Sequence, residues 1–94
     1  MRRAAKVDSN QTEIVEAFRK HGATVKPVHA IKGFVDIVVG YRGRNLLVEI
    51  KDGAKVKSKR KLTPMEQEFH DEWRGKVHIV ECLDDVVSAL LSVS

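Results

Sequence analysis

The chain has 94 residues, of which 43% are hydrophobic and 32% are charged, and its formal net charge is +4. This length allows one domain with one modest core and excludes a second domain. A single cysteine excludes a disulfide framework and a cysteine-based zinc site, and no apolar run reaches membrane-spanning length. We therefore expect a cytoplasmic protein without a membrane partner, and its positive charge favours a polyanionic partner.

The chain begins with a predicted basic arm over residues 1–8, which includes Arg2 and Arg3. A helix is predicted to follow, with Asn10 at its N-cap and Glu13 three residues later, an arrangement that approximates a capping box. The apolar stripe of this helix consists of Ile14, Val15 and Phe18. A short strand over residues 24–28 is expected next.

A β-hairpin is predicted over residues 35–51, with two apolar strands around a short turn that contains Arg42 and Gly43. If the turn has two residues, Asp36 faces Glu49 across the hairpin. A three-residue bulged loop would instead shift the pairing by one position and separate these two acids.

Two opposed carboxylates about 5 Å apart on a sheet repel one another, so their pairing needs compensation. Because side chains alternate along a strand, Lys51 falls on the same face as Glu49 and beside Asp36. A hard divalent cation held by the two acids would relieve the repulsion. The end of this hairpin is therefore the first candidate site.

A basic segment over residues 53–61 has neither periodicity nor apolar content, and we expect a mobile loop there. Its cations, considered alone, are typical of a solvated loop. Their position next to the acid pair favours a role in binding phosphate instead. They are Lys55, Lys57, Lys59, Arg60 and Lys61.

The second helix has a strong start signal, because Thr63 is a suitable N-cap, Pro64 follows it and Glu66 completes a capping box. Its apolar residues recur every four positions and predict a buried stripe. They are Met65, Phe69 and Trp73.

A strand over residues 76–81 and a helix over residues 84–91 complete the predicted elements. The order is α-β-β-β-α-β-α in a single domain over residues 1–94. The economical packing is an α/β fold with a four-stranded mixed sheet flanked by helices, in which the last strand lies parallel to one hairpin strand.

The spacing of Asp36 from the triplet Glu49-Ile50-Lys51, with Glu13 on a helix ahead of both, resembles the PD-(D/E)XK nuclease motif. From about residue 8 to residue 91 the chain resembles the small stand-alone VRR-NUC domains of phages and bacteria. Val35 stands where that motif commonly has a proline. The resemblance implies a restriction-endonuclease-like core and a protein of bacterial or phage-infected cells.

The resemblance also implies a phosphodiesterase that depends on Mg²⁺ or Mn²⁺. Its catalytic residues would be Glu13, Asp36, Glu49 and Lys51. Asp36, Glu49 and the backbone carbonyl of Ile50 would hold the metal, since hard cations prefer oxygen ligands, and Glu13 would join them through water. Lys51 would position the attacking water and contact the phosphate. The alternative for Glu13 is a purely structural role in the helix cap.

The implied substrate is DNA, duplex or branched, such as a four-way junction or a flap, and the implied assembly is a homodimer. Gln67 matches the phosphate-contacting glutamine of the family, although an ordinary exposed position is an equal alternative. A non-catalytic nucleic-acid-binding module and an unrelated α/β interaction domain are the competing hypotheses. The predicted DNA contacts are Arg2, Arg3, Lys55, Lys57, Lys59, Arg60, Lys61 and Gln67.

Overall fold

The computed structural model describes residues 10–93, in which three helices and four strands follow one another in the predicted α-β-β-β-α-β-α order. A short 3₁₀ helix, Lys57–Lys59, lies in the basic loop between the third strand and the second helix. The predicted arm over residues 1–8, with Arg2 and Arg3, falls outside the described residues. The elements are α1 Gln11–Lys20, β1 Thr24–Pro27, β2 Ile37–Tyr41, β3 Arg44–Ile50, α2 Pro64–Glu72, β4 Val77–Val80 and α3 Leu83–Leu91.

The sheet has the order β1-β2-β3-β4, and its mixed character confirms the predicted fold class. β1, β2 and β3 are antiparallel neighbours, whereas β4 pairs with β3 in the parallel direction. The connection between β3 and β4 contains the basic loop and α2, which is the crossover that a parallel pair requires. No helix in the described part of the chain is long and apolar enough to cross a membrane.

The hairpin between β2 and β3 has the two-residue turn on which the acid pair depends. Tyr41 pairs with Arg44 and Ile37 pairs with Val48, so the predicted register is confirmed. Arg42 and Gly43 have φ angles of 50° and 79°, which is the pattern of a type I′ turn. Glycine adopts this conformation freely, but arginine does so rarely. The sequence therefore did not exclude the three-residue turn.

The hydrophobic core lies between one face of the sheet and the pair α1 and α3. Alternation along β3 directs Leu46, Val48 and Ile50 into this core, so Glu49 points to the opposite face. The same alternation separates Ile37 of β2 from its neighbour Asp36. The sheet thus has an apolar side covered by two helices and a side on which charged groups gather. The central core residues are Ile14, Phe18, Ile37, Val39, Leu46, Val48, Ile50, Val80, Val86 and Leu90.

The start of α1 differs from the prediction. Asn10 makes no side-chain cap, so the expected capping box with Glu13 is wrong. Its side-chain nitrogen donates instead to the backbone carbonyls of Lys51, at 3.2 Å, and Glu81, at 3.3 Å. This long-range contact ties α1 to the ends of β3 and β4. The Asn10 side chain thus satisfies carbonyls that follow the two strands and makes no bond to the free amides at the start of α1. Such a contact exists only in the tertiary structure.

The start of α2 confirms its capping box, because Glu66 N–H donates to Thr63 Oγ1 at 3.2 Å and Thr63 N–H donates to Glu66 Oε1 at 2.8 Å. The prediction that its apolar stripe is buried is wrong. Met65 is 52% exposed and Trp73 is 45% exposed, and α2 buries none of its residues. Phe69 is half-buried against Phe34, with ring centroids 5.4 Å apart. α1 and α3 already cover the core, so the stripe of α2 packs outside it, in a small cluster with Phe34.

Candidate active site

Asp36 lies one residue before β2, where the regular ladder with β3 ends. Its backbone N–H donates to the carbonyl of Val48 at 3.1 Å, and its Oδ2 accepts from the backbone N–H of Ile50 at 2.7 Å. These two bonds hold the carboxylate against the end of β3, next to Glu49. The short distance of the second bond is typical of a charge-assisted hydrogen bond.

Glu49 is the most deeply buried acid of the site, with only 1% of its surface exposed. Burial, followed by the negative charges of Asp36 and Glu66, raises the pKa of Glu49 to about 10. Its Oε1 is buried and has no hydrogen-bond partner among the described residues. A buried carboxyl with an unpaired oxygen beside a second carboxylate is costly for a fold, which makes this position a candidate functional site.

Lys51 is also buried, with 8% of its surface exposed, and it lines a cavity together with Asp36 and Glu49. Its Nζ lies 2.8 Å from Glu66 Oε1 and 4.0 Å from Glu49 Oε2. The closer carboxylate is therefore the one on α2, not the one on the same strand. The structure brings together Asp36, Glu49 and Lys51 as the sequence predicted.

Glu66 is the residue of this site that the sequence pattern assigned only to a helix cap. One oxygen, Oε1, accepts from both the Thr63 backbone N–H and Lys51 Nζ. Burial alone would raise the pKa of Glu66, but the hydrogen bonds from Lys51 and Thr63 outweigh it and lower that pKa. No local sequence pattern predicts this contact, because Lys51 and Glu66 are fifteen residues apart and their meeting depends on where α2 lies against the sheet.

The cavity around these four groups has a volume of about 420 Å³. Three cations of the basic loop, Lys55, Lys59 and Lys61, line it together with these groups. A second cavity of about 540 Å³ lies beside it and is lined by Lys57, Ser58, Arg60, Lys61 and Glu81. The basic loop therefore contributes cations to two adjacent cavities, with Lys61 shared between them.

The predicted basic loop is attached to the sheet at two points. Arg60 Nη1 lies 2.9 Å from Glu81 Oε1, and Gly53 N–H donates to the carbonyl of Glu81 at 2.9 Å. A Cβ atom at position 53 would lie 2.6 Å from that carbonyl, so the close approach requires glycine. Arg60 is thus paired with an acid and is not available as an isolated cation.

Two predicted site residues do not join the acid pair. Glu13 is exposed and lines grooves near Leu83 and Asp84, outside the cavity that contains Glu49. The physical reason is that α1 packs on the face of the sheet opposite to the Glu49 side chain. Gln67 is exposed, and its side-chain nitrogen donates to Asp71 Oδ1 at 2.9 Å along α2, away from the cavity lining.

The acids of this cavity form part of a donor set for a divalent cation. Between residues 10 and 93, no three His, Cys, Asp or Glu side chains are grouped so that they could hold a metal ion. Asp36 and Glu49 nevertheless supply two carboxylates, and Ile50 lines the same cavity. The buried and unpaired Oε1 of Glu49 fits a cation that takes its remaining ligands from backbone and water, as Mg²⁺ commonly does.

Comparisons with known proteins leave the family of this chain open. No protein-family model matches it, and the searches of the curated proteins and of the solved structures found no significant match.

Proposed function

We propose that this protein is a metal-dependent endonuclease that hydrolyses phosphodiester bonds in DNA. The observation that supports this most is the buried Glu49, with its unpaired Oε1, beside the half-buried Asp36 and the ammonium of Lys51. An acid pair of this kind adds nothing evident to the stability of the sheet. It does provide the oxygen ligands and the positive group that phosphodiester hydrolysis requires. The motif resemblance to VRR-NUC nucleases agrees with this function.

Each residue of the site has a role in the proposed reaction. Asp36 and Glu49 would hold Mg²⁺ or Mn²⁺, with the Ile50 carbonyl as a further oxygen ligand. When bound, the cation supplies Lewis-acid stabilisation of the phosphate and a water of lowered pKa. Lys51 donates hydrogen bonds to the attacking water and to a phosphate oxygen, which stabilises the negative charge that grows in the transition state. Glu49 would hold the cation as a carboxylate, so metal binding would be coupled to the loss of its proton to solvent.

The basic loop is proposed to hold the DNA backbone across the two adjacent cavities. Lys55, Lys59 and Lys61 attract the phosphate at the acid pair, and Lys57 attracts a neighbouring phosphate. Such contacts give affinity without sequence preference, so we propose selection by shape, with four-way junctions or flaps as substrates. A homodimer would place two sites on two strands, and analytical ultracentrifugation checks this assembly.

The decisive experiment is cleavage of labelled four-way junction, flap and linear duplex DNA in Mg²⁺, Mn²⁺ or EDTA. We expect cleavage of at least one substrate with metal and none with EDTA. Glu49→Gln, which keeps the shape of the side chain, should abolish it. Glu68→Gln is the matched control, since Glu68 is an exposed acid of α2 outside the cavity lining. Cleavage that survives Glu49→Gln would show that the reaction occurs elsewhere.

A second candidate is a nucleic-acid-binding module without catalysis. It is favoured by the finding that, between residues 10 and 93, no three His, Cys, Asp or Glu side chains are grouped so that they could hold a metal ion. In that case the wild-type protein would bind branched DNA in a salt-dependent manner and cut no substrate with any metal. The same assay therefore separates the two functions.

A further inference from the structure

The ammonium group of Lys51 is held by the acid that is not a proposed metal ligand. We propose that Glu66 is a positioning residue that keeps Lys51 away from the Asp36 and Glu49 pair, so that this pair stays open to a divalent cation. The inference rests on the proposed function for the use of that cation. Its test does not require DNA cleavage.

The two distances from Lys51 support the proposal. Ammonium and carboxylate groups in a charge-assisted hydrogen bond lie about 2.7–2.9 Å apart. The 2.8 Å distance to Glu66 Oε1 meets this condition, whereas the 4.0 Å distance to Glu49 Oε2 does not. Since the lysine side chain is long and flexible, it has the reach to pair closely with Glu49 if Glu66 did not hold it.

Glu66 is better placed than Glu49 to bind the ammonium group of Lys51. The Thr63 backbone N–H donates to the same oxygen that accepts from Lys51, so the carboxylate is held in place independently of the lysine. Its place in the first turn of α2 also favours a negative charge through the helix dipole. Glu49 lacks the advantage of a helix start, because it lies within β3, and it is buried beside Asp36.

A Lys51 that paired closely with Glu49 would act as an internal cation at the acid pair. It would neutralise the charge that attracts the metal, and its ammonium would fill the space beside the carboxylates. The capping box of α2 therefore does more than begin a helix. Through Glu66 it decides whether the acid pair of the sheet is available to a metal ion.

The test is Mn²⁺ binding to the purified protein, followed by electron paramagnetic resonance or calorimetry. We expect Glu66→Ala to weaken binding by about tenfold, the ratio that corresponds to one such ion contact. Glu66→Gln should weaken it less, because glutamine still completes a capping box and still accepts a hydrogen bond. Far-UV circular dichroism checks that each variant is folded.

The second half of the test is a double-mutant cycle with Lys51→Met. If Glu66 acts by holding Lys51, the loss caused by Glu66→Ala disappears when Lys51 is replaced as well. If Glu66 acts by its own charge or as a ligand, the same loss persists without Lys51, and this result would overturn the proposal. Unchanged Mn²⁺ affinity in Glu66→Ala would overturn it too.

Thr63→Ala is the matched control, because it removes the other half of the same capping box and leaves the contact between Glu66 and Lys51 in place. We expect Mn²⁺ binding close to that of the wild type. An equal loss in Thr63→Ala and Glu66→Ala would attribute the effect to the helix start alone. Normal coupling in a protein that never cuts DNA would refute only the nuclease function, and a wild type that binds no Mn²⁺ would refute both.

Discussion

Two regions of the molecule break the usual rule of burial in opposite directions. Where β2 begins and β3 ends, the charged residues Glu49 and Lys51 are buried, with 1% and 8% of their surfaces exposed. On α2 and directly after it, the apolar residues Met65 and Trp73 are about half exposed. The first region holds polar groups at high cost, and the second leaves apolar surface in contact with water.

The difference shows what each region depends on. The buried charges are held by neighbours from three separate segments: the residue before β2, the end of β3 and the first turn of α2. The exposed stripe of α2 contributes to a small aromatic cluster with Phe34. Local unfolding of α2 would therefore release few apolar contacts but would free Lys51 from Glu66. The site and the helix are coupled through one carboxylate.

The largest effect is expected at Lys51. Replacing it with methionine should reduce kcat for DNA cleavage by about 1,000-fold, with a small change in KM, because its ammonium is proposed to act on the charge of the transition state. Lys57→Met, in the adjacent cavity, should raise KM by only a few-fold and leave kcat unchanged. Steady-state kinetics on a cleaved substrate checks both, and an equal loss of kcat in the two variants would contradict the division between the cavities.

The next effect concerns the pH dependence of stability in EDTA. Because the pKa of Glu49 rises from 4.5 to about 10 on folding, the folded protein keeps a proton that the unfolded chain releases above pH 4.5. The contribution of Glu49 is therefore fully present below that pH and declines as the pH rises towards 10, by roughly 1 kcal/mol per pH unit.

Glu49→Gln cannot ionise and should remove this decline. Urea unfolding of the wild type and the variant at several pH values measures the difference in their free energies of unfolding. A constant difference across pH 6 to about 9 would show that Glu49 is ionised in the folded protein as it is in the unfolded chain, and would contradict a raised pKa. Glu68→Gln again serves as the control, because Glu68 is exposed.

The smallest effect is expected in the aromatic cluster of α2. Phe69→Ala should lower the free energy of unfolding by about 2 kcal/mol, since Phe69 contacts both Phe34 and Trp73. Trp73→Ala should cost about 1 kcal/mol or less, because Trp73 is 45% exposed. Phe18→Ala is the reference for the main core and should cost about 4 kcal/mol. Urea unfolding measures all three, and an effect at Trp73 as large as that at Phe18 would mean that the stripe is buried in solution.

Much of the fold was predictable because its signals are local. The two-residue turn sets the register of the hairpin, and the register brings Asp36 beside Glu49. The capping box at Thr63 sets the start of α2. Alternation along β3 separates the apolar residues from Glu49 and Lys51. These features follow from neighbours a few residues apart, so the sequence was sufficient for them once the turn length was known.

The errors concern contacts between distant segments. Asn10 was expected to cap α1, but its side chain bonds the ends of β3 and β4. The stripe of α2 was expected to be buried, but α1 and α3 already cover the core. Glu13 was grouped with the acids, although α1 packs on the other face of the sheet. In each case local pattern and tertiary packing compete, and packing decides.

The sequence by itself determined the order of elements and the face of β3 that carries Glu49 and Lys51, and it left two turn lengths for the hairpin, of which the two-residue turn brings Asp36 beside Glu49. Periodicity and turn chemistry act over short distances. Only the tertiary structure decided that Glu66 holds Lys51, that Glu13 stays apart, and that the basic loop divides between two cavities. These outcomes depend on which face of the sheet each helix covers. That choice is made by the burial of the whole core, not by any single segment.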